Sequence, residues 1–191
     1  MNRRTALRTA GSLLGAAGLT GCLGAPAGQA AQQRPTPVDL SGSKADDEGG
    51  MVIGLHGGPN GQIFYRNNSP DGRENPAWFH TLAFGLFPYY FEHEREGWEA
   101  TAIYVTDYST VDYTLSTEGD PTLPSPTAPD TFGDATQMHY VMESRVSGGM
   151  GPALVPFSAR ADADSFGDEY GGRVVVFDEI TPELIATYTR K

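Results

Sequence analysis

The chain has 191 residues, a formal net charge of −11 at pH 7 and a sequence pI near 4.6. Such a surface repels phosphate backbones and anionic headgroups, which excludes nucleic-acid binding and adhesion to anionic lipid through a basic patch. With Cys22 as its one cysteine, the chain has no internal disulfide and no cysteine-cluster metal site.

The N-terminus reads as an export signal. Arg3, Arg4 and Arg8 precede a run of small and apolar residues from Thr9 to Thr20. That run is shorter than the roughly 20 residues a membrane-spanning helix needs, and its layout is that of a secretory signal. The adjacent arginines give it a twin-arginine character, an address rather than an anchor. Leu19-Thr20-Gly21-Cys22 fits a lipobox. The expectation is therefore a signal peptide over 1–21, with Cys22 becoming the lipidated first residue. More than one acyl chain is expected there, because a single chain binds membranes only marginally. The protein is then lipid-anchored on the extracytoplasmic face of the cell membrane.

Residues 22–50 are poor in large apolar side chains and rich in Ala, Gly, Gln, Pro, Ser and Asp. They are expected to form a disordered spacer. Without residues 1–21, which hold three arginines and no acid, the charge goes from −11 to −14. Only Lys44 and Lys191 are lysines. Many acids with few lysines suit a protein kept hydrated in strong salt, a halophile signature.

The folded domain is expected over 51–191. Met51–His56 and Gln62–Arg66 have strand character and flank the glycine-rich turn 57–61, which predicts a hairpin. Ala77–Glu94 reads as a helix disturbed by Gly85 and Pro88, and Ala102–Thr106 as a strand. Residues 109–136 are expected to be a connecting loop. The order then recurs: a strand at His139–Glu143, a turn at Gly148–Pro152 and a strand at Ala153–Phe157. A helix at Asp162–Tyr170, ended by Gly171-Gly172, precedes a strand at Arg173–Phe177. A last helix starts near Pro182 with Thr181 as its N-cap. The predicted class is α+β, with two tandem strand-strand-helix-strand (ββαβ) units, 51–108 and 137–191, the second ending in the C-terminal helix.

Little in this inventory suits an enzyme. No thiol is available in the domain, no Gly-x-Ser-x-Gly elbow occurs and no His-x-x-x-His pair is present. What remains is a set of soft donors: Met51, Met138, Met142 and Met150, with His56, His80, His93 and His139. Thioether and imidazole together suit copper, and thioether favours Cu(I). Met150 stands between glycines in a Gly-Gly-Met-Gly-Pro turn, where it is either a surface ligand or a flexible side chain filling a gap. Met138 and Met142 flank a strand, which favours core packing, and Met51 opens one. His56 precedes the glycine turn and His80 is expected on the aromatic helix over 77–94.

Several segments resemble the NosL family: Met51 to Gln62, Ile103–Asp107, and Asp134 to Ile180. The most specific part is Gly149-Met150-Gly151 with Leu154-Val-Pro-Phe157, followed by Tyr170-Gly-Gly-Arg173 and Phe177-Asp-Glu-Ile180. The resemblance implies a lipoprotein of the nitrous oxide reductase system, a non-enzymatic carrier of Cu(I) to the reductase's copper-sulfide centre. It also implies a fold of paired ββαβ units, shared with the organomercurial lyase. Its partners would be nitrous oxide reductase and the membrane assembly complex that serves it. It puts a metal ligand at Met150 and aligns the family's Cys-Gly-Met motif with Gly49-Gly50-Met51, so the family's thiolate is replaced by Gly49. The earlier cysteine of that motif is replaced by Asp46, and a Phe-Cys pair falls on Phe79-His80. The implied donor set is Met150, Met51 and a histidine, His80 or His56. The alternative is a metal-free lipoprotein that docks or scaffolds the reductase assembly.

Overall fold

The computed structural model describes residues 34–116 and 119–190. The expected signal peptide, Cys22 and residues 22–33 lie outside the described residues. The architecture is α+β, with two larger antiparallel sheets, a separate two-stranded hairpin, and helices packed on the sheets.

The first sheet has the order β2-β1-β3-β4, with β1 Gly61–Arg66, β2 Ala77–Phe79, β3 Glu99–Thr106 and β4 Phe132–Asp134. Ile63 lies in register with Ala77 on one side and Ile103 on the other, an apolar row across three strands. The second sheet has the order β8-β5-β9, from β5 His139–Met142, β8 Val155–Phe157 and β9 Arg173–Val176. Between β5 and β8 a small hairpin projects, β6 Ser147–Gly148 against β7 Gly151–Pro152. In both sheets the earliest of three strands is central. Helix α1, Phe87–Arg95, lies between β2 and β3 in sequence, and α2, Arg160–Tyr170, between β8 and β9.

One apolar cluster joins the two halves. Ile63, Phe79, Leu86 and Phe87 meet Tyr140, Met142, Leu154 and Val175 in it. Met138 and Met142 are core residues, so their thioethers serve packing. Helix α3, Pro182–Tyr188, starts at the expected N-cap: Thr181 Oγ1 accepts the Leu184 N–H at 3.2 Å. Its Tyr188 hydroxyl donates to the Ala153 carbonyl at 2.9 Å, which fixes the chain just after the β6–β7 hairpin.

Four expectations are corrected. The ordered domain starts before residue 51: Leu40 is 0% exposed and packs with Ile53 and Phe132, and Gln62 bonds both backbone groups of Val38. A polar segment is held here by the sheet it crosses rather than by its own composition. Met51–His56 does not pair with β1. Its one bridge runs from Val52 to Ala45, because β2 and β3 already occupy both edges of β1. The predicted helix over 77–94 is divided into β2, a π-helical turn at Leu82–Leu86, and α1 with Pro88 in its first turn. An unbroken apolar run fits strand and helix alike, and the edge of β1 claims its first three residues. Finally, 109–136 is not a plain loop. It contributes β4 to the first sheet and a fully buried Leu123 to a second apolar cluster.

Candidate metal site

The site lies where four segments converge: the loop after Ala45, the glycine loop before β1, the residues following β2, and the tip of the β6–β7 hairpin. His80 stands where β2 ends and the π-helical turn begins, a kind of irregularity frequent at functional sites. It is 1% exposed. Its backbone N–H donates to Asp46 Oδ2 at 2.7 Å, and its Nδ1 lies 2.7 Å from the same oxygen. The other oxygen, Asp46 Oδ1, accepts the N–H groups of Glu48 and Gly49 at 2.8 and 2.7 Å. Burial pushes the Asp46 carboxyl up, but hydrogen bonds from the His80 side chain and from the Gly49 and His80 backbone N–H groups together hold it below its ordinary value.

A carboxylate only accepts, so Nδ1 carries the proton in this pair. Nε2, the other ring nitrogen, has no hydrogen-bond partner although it is buried, and the adjacent Cδ2 is the ring atom nearest Gly149 of the cleft wall. The adjacent Thr81 hydroxyl is unpartnered too. Buried polar atoms are seldom left unpaired without a reason.

The cleft is lined by His80 and Thr81 on one side and by Gly148–Leu154 on the other, with Gly57–Pro59 between. Its free volume is about 10 Å³, room for a water-sized sphere rather than an organic molecule. Met150 lines it from the hairpin tip and is 48% exposed, one of three large apolar side chains exposed among the described residues. Glycines allow the walls to meet. A Cβ on Gly149 would stand 2.9 Å from His56 Cβ and 3.2 Å from His80 Cδ2, and one on Gly58, at φ +105°, 2.9 Å from Gly148 Cα.

The structure therefore brings His80 and Met150 to one cleft. The half-buried His56 stands beside them, its ring centroid 6.2 Å from that of His80 in an edge-on arrangement. Met51 is half-buried on the loop that carries Asp46, whose N–H bonds the Met51 carbonyl at 2.9 Å, and is not part of the cleft lining. A Cβ on Gly49 would lie 3.8 Å from His80 Cε1, so this position adjoins the imidazole. Cys22 lies outside the described residues. His93 is held elsewhere, stacked on Tyr89 with centroids 3.9 Å apart and donating to the Tyr89 carbonyl. Among the described residues no group of three or more His, Cys, Asp or Glu side chains could hold a metal ion.

Sequence reading places Asp46 only as the replacement of a family cysteine and gives it no role of its own. Its partner is 34 positions away.

An exposed thioether and a buried, unpaired imidazole on one small cleft are donor types that suit a soft metal. The NosL family profile matches residues 37–185, and the chain belongs to the NosL family. The copper-binding lipoprotein NosL of Stutzerimonas stutzeri is 38% identical over 52 residues, a match that spans 27% of this chain and 27% of that relative. The fold is similar to the crystal structure of the copper chaperone NosL from Shewanella denitrificans. The TM-score is 0.63 at 24% identity, covering 78% of this chain and 98% of that one. The solution structure of apo-NosL from Achromobacter cycloclastes aligns at 26% identity with a TM-score of 0.38, over 65% of this chain and 87% of that one.

Proposed function

We propose that the protein is a membrane-tethered, extracytoplasmic Cu(I) chaperone that delivers copper for assembly of the nitrous oxide reductase copper-sulfide centre. The observation that carries this reading is the meeting of Met150 and the unpaired Nε2 of His80 in one ion-sized cleft. Family membership supports it, as does the copper-binding lipoprotein name of the S. stutzeri relative. The metal is cargo, passed on by ligand exchange and not by catalytic turnover.

His80 Nε2 and Met150 Sδ are the primary donors, with His56 beside them and Met51 as the further thioether. Cu(I) accepts two or three soft donors, and a thioether–imidazole set holds it less tightly than a thiolate would. That suits a carrier that must unload. Met150, half exposed at a hairpin tip, is the donor an incoming client ligand displaces first. Lipid on Cys22 keeps the domain beside the reductase's membrane assembly complex, with the twin-arginine route as its export path.

Anaerobic Cu(I) titration of the chain carrying Cys22→Ser, against a competing chelator, tests the reading. One-to-one binding that weakens at least about tenfold in Met150→Ala is the expected result, a loss of about 1.4 kcal/mol. Failure of the parent to compete at all would remove the copper role and leave the domain as a docking factor in reductase assembly.

A further inference from the structure

We infer that Asp46 is a positioning residue for the copper ligand: it holds His80 as the Nδ1–H tautomer, so that the lone pair is left on Nε2. The inference rests on the copper reading for its purpose but on geometry for its content.

Asp46 Oδ2 receives both the backbone N–H and the ring Nδ1–H of His80, each at 2.7 Å. These two contacts fix the residue's position and the rotation of its ring. The opposite oxygen is tied by the backbone of Glu48 and Gly49, so the carboxylate itself cannot turn. Asp46 is 4% exposed, and its neighbour in the site, His80, is 1% exposed, so no water competes for these bonds. An imidazole that donates from Nδ1 keeps its lone pair on Nε2, the atom that is buried and unpaired at the cleft.

A carboxylate behind a ligating imidazole orients the ring and raises its basicity, and loss of such a partner costs about 10- to 100-fold in metal affinity. Asp47, next in sequence, is engaged differently: it pairs with Arg73 and accepts the Trp78 N–H at 2.7 Å. The two adjacent acids thus divide into one that braces the fold and one that braces the ligand.

The decisive measurement is made on the unaltered metal-free chain. Two-bond ¹H–¹⁵N correlation spectra of the imidazoles, with His80→Gln identifying the resonance, report which nitrogen carries the proton. The inference expects His80 protonated at Nδ1 and bare at Nε2. A proton on Nε2, or rapid exchange of both tautomers, overturns it.

Asp46→Asn then supplies the coupling. Its single oxygen can still accept the Glu48 and Gly49 N–H groups, its NH2 cannot accept from His80, and circular dichroism reports whether the fold persists. Cu(I) affinity should fall about 10- to 100-fold while the His80 nitrogen shifts move toward a tautomer mixture. Affinity within about twofold of the parent, with His80→Gln abolishing binding, would refute a positioning role. Should the parent bind no Cu(I), the chaperone reading fails by itself, and the nitrogen spectra still decide whether Asp46 sets the tautomer.

Discussion

His80 is a buried group with one satisfied nitrogen and one unsatisfied one. Replacing it with Ala removes the partner of a buried carboxylate and opens space in the cleft wall. An unsatisfied buried partner costs about 1–3 kcal/mol, more for a charged one, so His80→Ala should be destabilised by at least that much as well as losing Cu(I). Met150→Ala should differ. At 48% exposure its side chain gives the fold little, and chemical denaturation should place the variant within about 0.5 kcal/mol of the parent while copper affinity drops. A large loss of stability would identify Met150 as a packing residue and not a ligand. The two variants together separate a donor that the fold needs from one that it merely displays. At this scale the turn Gly148–Pro152 was legible in the sequence, because a large apolar residue between glycines has nothing local to pack against. Asp46 was not, because its role exists only once His80 is folded onto it.

Two elements close the site, and each invites a test. The β6–β7 hairpin presses its backbone onto His56 and His80 at Gly149. Gly149→Ala adds a methyl group 2.9 Å from His56 Cβ, closer than carbon atoms tolerate. Overpacking of this kind costs about 1–3 kcal/mol, and the hairpin must lift, so Cu(I) affinity should fall together with stability. A Gly149→Ala variant as stable as the parent would mean that the hairpin rides free of the cleft. The second element is the segment 34–50. It carries Asp46 and is pinned by Leu40 in the core and by the ion pair between Arg34 and Asp134 on β4. Leu40→Ala should cost about 2–5 kcal/mol, the usual figure for a core leucine. A spacer residue would cost nothing, so urea denaturation distinguishes the two directly. The composition of 34–50 gave no sign of this, since order there comes from a sheet formed by residues far along the chain.

The whole molecule carries its charge as an acid-rich surface, and pH acts on it with opposite signs. The Arg34 guanidinium, by its hydrogen bond, holds the Asp134 carboxyl below its ordinary value, and the network around Asp46 does the same there. A depressed folded value stabilises the fold above the unfolded value near about pH 4 and is lost as pH falls through the folded one. Burial pushes Asp47 and Glu48 up, so these two weaken the fold once ionised and relieve it on protonation. Asp134→Asn should therefore flatten the loss of stability below about pH 4, by less than about 1 kcal/mol because the pair is partly exposed. A denaturation series across that range in parent and variant checks the slope. The formal charge of −11 makes a further expectation at this scale: screening of self-repulsion should raise the unfolding midpoint with salt. A midpoint independent of salt would count against adaptation to a saline environment.

By itself the sequence determined the α+β class, the positions of β3, β5, β9, α2 and α3, and the exposed methionine turn. Each of these rests on local information: alternation, a β-branched run, a cap residue, a glycine pair. What only the tertiary structure decided was where the domain begins, which partners β1 takes, that 77–79 is strand, and that His80 stands between Asp46 and the hairpin. Those outcomes depend on competition for sheet edges and on contacts between residues tens of positions apart. Such contacts leave no periodic trace along a chain, and they exist only when the whole core has closed.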